Sequence, residues 1–202
     1  MSMIGRHLAD GLDVRLSHRV TAIEPKGGGW RLVFEDRAGQ GPFRRVIVAC
    51  PGPQAAALLP GASPIHRVAA ALDYAPCWAA MLRFDEPVSL PYDGVHFEDE
   101  LLGWAARESS KPGRAPGARW VLHASHQWSR AHLEVDDEWV QRAMVNRFRE
   151  LTGARPVTAV VHRWRYALAH HRAGASALYD PVRGLGLCGD ALGVWGAFAE
   201  AP

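Results

Sequence analysis

Gly184-Leu185-Gly186-Leu187-Cys188-Gly189-Asp190 is the stretch on which the reading of this chain turns. It matches the spacing G-x-G-x-x-G literally. In a dinucleotide fingerprint those glycines turn the chain from a strand into a helix, and backbone N–H groups then meet a pyrophosphate at the helix N-terminus. Here the glycines lie inside an apolar run that itself reads as a strand. Asp190 follows at once, and only twelve residues come after it. The helix, second strand and acidic residue of a fingerprint have no room. The segment reads better as a short strand ending in Gly189-Asp190, where glycine lets a ligand approach the backbone and the carboxylate accepts bonds from sugar hydroxyls. A plain Gly-Asp turn is the structural alternative.

Working outward, Arg44–Pro51 (RRVIVACP) is a continuous apolar run of the kind expected for a strand buried on both faces. Pro51 and Pro53 end it, and a short helix follows. Upstream, DVRLSHRVTAIE alternates through Val14, Leu16, Val20 and Ala22. A Gly27-Gly28-Gly29 turn joins it to GWRLVFED, which predicts an antiparallel hairpin. MIGRHLADGL reads as an opening helix stopped by Gly11.

From about residue 61 the texture changes. SPIHRVAAALDY reads as helix, and CWAAMLRF, LLGWAARE and RWVLHAS as strands of one antiparallel sheet. Asp136 or Asp137 caps the clearest helix, in which Val140, Met144, Phe148 and Leu151 repeat and Gly153 closes the run. VTAVVHRWRYA is a further strand. The expected fold is mixed α/β (α+β). Residues 1–60 and 180–202 form one domain, and 61–179 form a second inserted into it.

Composition bounds the partners. The 202 residues carry 23 Lys+Arg against 21 Asp+Glu, a formal net charge of +2, which gives no argument for nucleic acid. Hydrophobic residues at 48% and charged residues at 22% exclude a disordered or fibrous chain. Cys50, Cys77 and Cys188 are far apart and odd in number, so neither a disulfide framework nor a zinc ribbon is supported. With no signal peptide and no long apolar run, a reduced cytoplasmic setting is expected, without membrane association.

The order of DVRLSHRVTAIE, GGGWRLVFED, RRVIVACPGPQAAALL and GLGLCGDAL resembles that of flavoproteins of the renalase and amine-oxidase type, as do WAARESSKPGR at 104–114 and HRWRYA at 162–167. The resemblance runs over nearly the whole chain. It implies FAD as cofactor and a partial FAD-binding domain with an inserted antiparallel-sheet substrate domain. Val20 would contact the cofactor near its adenine. Ala49, Cys50 and Pro51 would pass its phosphates or ribose. Gly189 and Asp190 would meet the pyrophosphate and ribityl region, and the stretch after Asp190 would approach the flavin ring. Two departures stand out: the family's opening strand–GxGxxG–helix unit is missing, and its closing helix is not recognisable. A chain cut in this way is expected to self-associate or to need a missing N-terminal half.

In His162-Arg163-Trp164-Arg165-Tyr166, strand alternation puts His162, Trp164 and Tyr166 on one face and the arginines on the other. This is either an aromatic wall for a planar substrate or a core-facing ladder with a solvated arginine face. The histidines show no metal-ligand spacing, and no metal is expected. Cys50 reads as a small packed hydrophobe. Arg107, Lys111, Arg114 and Arg119 form a charged loop patch, solvated by default. The expected activity is hydride transfer from a nicotinamide-like or amine substrate to flavin and then to oxygen, with no catalytic acid or base named. The alternative is a non-catalytic fragment or a small-molecule- or partner-binding α+β domain.

Overall fold

The computed structural model describes residues 2–170 and 175–192. In chain order the first elements are α1 (Ser2–Leu8), β1 (Val20–Lys26), β2 (Gly29–Phe34), β3 (Gln40–Phe43), β4 (Val46–Val48), α2 (Gly52–Leu58) and α3 (Pro64–Ala71). Next come β5 (Tyr74–Arg83), β6 (Gly94–His96), β7 (Leu102–Arg107), β8 (Arg119–Ala124), α4 (His126–Ala131), α5 (Asp137–Thr152) and β9 (Thr158–Ala169). β10 (Leu178–Asp180) and β11 (Leu185–Leu187) close the described chain. Residues 2–72 with 175–192 make one compact unit, and residues 73–170 make another.

The first unit holds two three-stranded sheets. β1, β2 and β3 form an antiparallel meander. Gly27 and Gly28, at φ 56° and 76°, supply the two positive φ angles that the tight β1–β2 turn needs. The expected hairpin is there, but its first strand begins only at Val20. Leu12, Val14 and Leu16 lie exposed ahead of it, so their alternation marks no strand.

The second sheet has the order β10-β11-β4, with β11 antiparallel to β10 and parallel to β4. A side chain at Gly184, φ 67°, would run into the Arg44 carbonyl, which explains the glycine where β11 begins. Val48, Leu185 and Leu187 pack with Ala55 of α2 and Leu59 at its C-terminal cap, Ile65 and Ala69 of α3, and Ile23 and Trp30 of the meander. Burial of β4 on both faces does not hold. Val48 is buried, but Ile47 is 65% exposed, because the core packs one side of the sheet and no described element covers the other.

The second unit is a five-stranded antiparallel sheet, order β6-β7-β8-β5-β9, with helices on one face. Trp78, Ala80 and Leu82 of β5, Leu102 and Ala105 of β7, and Trp120 and Leu122 of β8 face Val140, Met144 and Phe148 of α5. Asp136 caps α5 by accepting the Trp139 N–H at 2.8 Å, and Gly153 ends it in the left-handed conformation at φ 74°. Leu151, grouped by spacing with the apolar stripe, is exposed. The three-strand expectation is met and extended, since the sheet also takes in β6 and β9.

Candidate functional site

The first candidate region is the end of the β4–β11 pair. The strands are parallel, with Val46, Ile47 and Val48 opposite Leu185, Gly186 and Leu187, so their C-terminal ends lie side by side. The Cys188 N–H donates to the Val48 carbonyl at 3.0 Å and extends the pairing. Ala49-Cys50-Pro51 and Gly189-Asp190 therefore leave the sheet at one edge. In open parallel sheets, ligands bind beyond this end of the strands.

Gly189 sits at φ 147°, and among the described residues a side chain there would meet nothing within 4 Å. Asp190 is exposed, and its Oδ1 accepts the Ala191 N–H at 2.9 Å, so the Gly-Asp turn is present as well. Cys50 and Val20 are both partly buried against the core that holds Val48. Burial pushes the Cys50 thiol up, as suits the packed small hydrophobe that its setting predicts. Trp30 ties the meander to the turn before β11 through its indole N–H, which donates to the Arg183 carbonyl at 2.6 Å. The stretch expected to approach a flavin ring lies, from residue 193, outside the described residues.

The second region is the sheet face of the second unit that α5 does not cover. His162 and Trp164 lie there together, edge to face at 4.4 Å between ring centroids. Trp164 is 53% exposed, so the core-facing ladder is not what forms. Tyr166 does not extend the pair. The β5–β9 register shifts between Ala75 and Cys77, and beyond this bulge Tyr166 meets the buried Tyr74 edge-on at 5.7 Å. The arginines are not simply solvated either. Arg163 lies over the Trp78 ring and donates to the Leu133 carbonyl at 2.7 Å, and both Arg163 and Arg165 pair with Glu134.

Sequence reading missed the rest of this face. The pairings His96↔Trp104, Trp104↔His123, Ala79↔His123 and Ala79↔His162 run one continuous row across all five strands. His96 stacks at a tilt on Trp104, 4.5 Å between centroids. The Trp104 ring lies 2.6 Å from where a Gly94 side chain would start, which is why glycine stands there. Beside the row lie Cys77 and Met81, whose β9 partners are Trp164 and Val160. Burial pushes the Cys77 thiol up to about 11, so it is no thiolate nucleophile at neutral pH. Partial burial of its ring, together with His126 and Lys111, pushes His123 down. The alternation of RWVLHAS puts His123 opposite the core, a signal that was available. β6 is too short for His96 to have been placed.

The charged loop beside this sheet is largely paired. Lys111 and Arg114 both reach Glu108, at 2.5 and 2.9 Å. Arg107 reaches Asp93 at 3.3 Å and lies over Trp120, and Arg119 donates to the Ala115 carbonyl. Among the described residues no group of three or more His, Cys, Asp or Glu is placed to hold a metal ion, and no helix is long and apolar enough to cross a membrane.

The family model for flavin-containing amine oxidoreductases matches residues 1–191. The chain belongs to that family. Two solved structures share its fold. A putative protoporphyrinogen oxidase from Exiguobacterium sp. 255-15 is 22% identical with a TM-score of 0.66, and 94% of this chain covers 46% of that one. Putrescine oxidase bound to putrescine is 16% identical with a TM-score of 0.69, again with 94% of this chain covering 46% of the other. The chain thus spans about half the length of the solved structures it matches.

Flavin, in the form of FAD, is the cofactor this membership brings. The β4–β11 end suits part of such a group. Among the described residues nothing crowds Gly189, and Asp190 offers an exposed carboxylate to hydroxyls. Ala49-Cys50-Pro51 adds main-chain groups at the same edge. Neither strand end carries a cationic side chain for phosphates.

Proposed function

We propose that this chain is the part of an FAD-dependent amine-oxidase-type oxidoreductase that holds the ribose and ribityl portion of the cofactor and presents the substrate wall. The observation that carries this reading is the parallel β4–β11 pair, whose ends bring Ala49, Cys50 and Pro51 to one edge with Gly189 and Asp190. Within it, the unit of residues 2–72 and 175–192 belongs to the FAD-binding domain and residues 73–170 to an inserted substrate domain, so the boundary expected at residue 61 moves to 73 because α3 packs on the β4–β11 sheet. Val20 backs the adenine side. His162 and Trp164 line the substrate, and Tyr166 braces their strand through Tyr74.

When bound, flavin supplies an electron sink that takes a hydride from a C–H beside nitrogen and passes the electrons to oxygen. The chain's own residues bind and orient. Asp190 accepts hydroxyl hydrogen bonds, and the Gly189 backbone admits close contact. The aromatic face holds a nicotinamide-like or amine substrate flat and excludes water. A reducing, cytoplasmic setting accords with three unpaired cysteines.

The test is an absorbance spectrum of the purified chain before and after incubation with FAD and desalting. A retained flavin band is expected. A colourless protein, even after excess FAD, would sink this reading for the chain alone.

A second reading is favoured by the open side of β4. Its hydrogen-bonding edge away from β11 has no described partner, and Ile47 stands exposed beside it. On this reading the chain binds FAD only with a polypeptide that supplies the other half of the family's length, or pairs with a second copy of itself. Light scattering separates them: concentration-dependent self-association supports pairing, and a monodisperse monomer contradicts it.

A further inference from the structure

The five strands of the second unit are YAPCWAAMLR, GVH, LGWAAR, RWVLHA and TAVVHRWRYALA. None contains an aspartate or glutamate. They carry Arg83, Arg107, Arg119, Arg163 and Arg165, together with His96, His123 and His162. All three histidines lie in the single row that crosses the uncovered face, interleaved with Trp104 and flanked by Trp164.

Chemically, this face offers two indole planes, three imidazoles and the small buried floor of Ala79 and Cys77. Of the acids next to the strand ends, Asp73 is engaged by Arg130, Asp85 by Arg83 at 3.2 Å, Asp93 by Arg107 and Glu108 by Lys111 and Arg114, which leaves Glu98, two residues past His96, as the exposed carboxylate at the far β6 end of the row. An alkylammonium needs a carboxylate or a cage of aromatic faces free of cations. A flat anion needs stacking surfaces and N–H donors, and these are what the row presents.

We infer that this face takes a flat aromatic acid, bearing a carboxylate or phosphate, in preference to an alkylamine. The inference rests on the substrate-wall reading above, whose substrate class it narrows. The aromatic part lies against Trp164, which touches His162, and the acid group is received by imidazole N–H groups along the row, His162 first.

The experiment is equilibrium dialysis of the full chain, with and without added FAD, against three probes: 2-naphthoate, 2-naphthylmethylammonium and putrescine. Naphthoate is expected to bind about tenfold or more tighter than its ammonium counterpart, with putrescine weakest. Trp164→Ala should weaken naphthoate about tenfold. His162→Glu should abolish or invert the naphthoate preference. Both positions are exposed, and circular dichroism verifies that the variants fold. Equal or tighter binding of the ammonium probe, an unchanged preference in His162→Glu, or no binding of any probe would each overturn the inference. Flavin retention is read in the same samples. Naphthoate binding without retained FAD sustains the preference and removes the substrate-wall role, whereas retained FAD with indifferent probes removes the preference alone.

Discussion

The two units of this chain solve the same packing problem to different degrees. In the second, α5 covers one face of a five-stranded sheet, and Trp78, Trp120, Leu122, Met144 and Phe148 are all fully buried. In the first, β4 and β11 have three residues each, the helices close one side, and Ile47 looks outward. An isolated hydrophobic run is stable only when another layer buries it. The second unit has that layer within the described residues. The first has it on one side only, which is where a chain spanning about half its relatives' length is expected to be weakest.

The contrast breaks or sharpens under mutation. Phe148 touches Phe84 and Trp120 at about 6 Å between ring centroids and is fully buried. Phe148→Ala should cost about 3–5 kcal/mol and unfold the second unit before the first, read by hydrogen exchange resolved by segment. A loss below about 1 kcal/mol would erase the distinction between the units.

Asp99 gives an intermediate effect. Its partial burial alone would raise its pKa, but Arg147, at 2.6 Å, and the N–H groups of Leu101 and Leu102 outweigh that and hold the carboxyl below the usual range. A carboxyl depressed in the folded state stabilises fully above its unfolded value of about 3.9, and this contribution is lost as pH falls through the folded value. Denaturation of the second unit should therefore become markedly easier below about pH 4. Asp99→Asn should cost about 1.5–3 kcal/mol at neutral pH and flatten this acid limb. An unchanged acid limb in the variant would show that other groups set it.

The smallest effect belongs to the first unit. Ile47→Ala should change stability by about 0.5 kcal/mol or less, because little surface is buried there. A cost above about 1 kcal/mol, growing with protein concentration, would show instead that something covers this face in solution.

Much of this was legible in the sequence where local chemistry decides structure. Asp136 and Gly153 mark both ends of α5, and the glycines at 27 and 28 mark the hairpin. What escaped was decided by partners far away in the chain. The parallel pairing of β4 with β11 leaves no trace in either segment's pattern, and the short β3, β6 and β10 lack enough residues to show a period. At the candidate site, Gly189-Asp190 and the His162–Trp164 pair could be named in advance. The displacement of Tyr166 could not, because a bulge in register is a property of two strands together. The row from His96 to His162 depends on four pairings at once.

β9 lies at the rim of the five-stranded sheet and runs from Thr158 to Ala169. A rim strand of that length is a natural template for runaway stacking of one molecule on the next. Arg163 and Arg165 oppose this. One glutamate, Glu134, answers both guanidinium groups, so an excess of positive charge stays on the strand. An approaching copy would bring its own arginines against it. β9 is thereby a self-avoiding border, whereas the uncharged Val46-Ile47-Val48 border of β4 has no such guard.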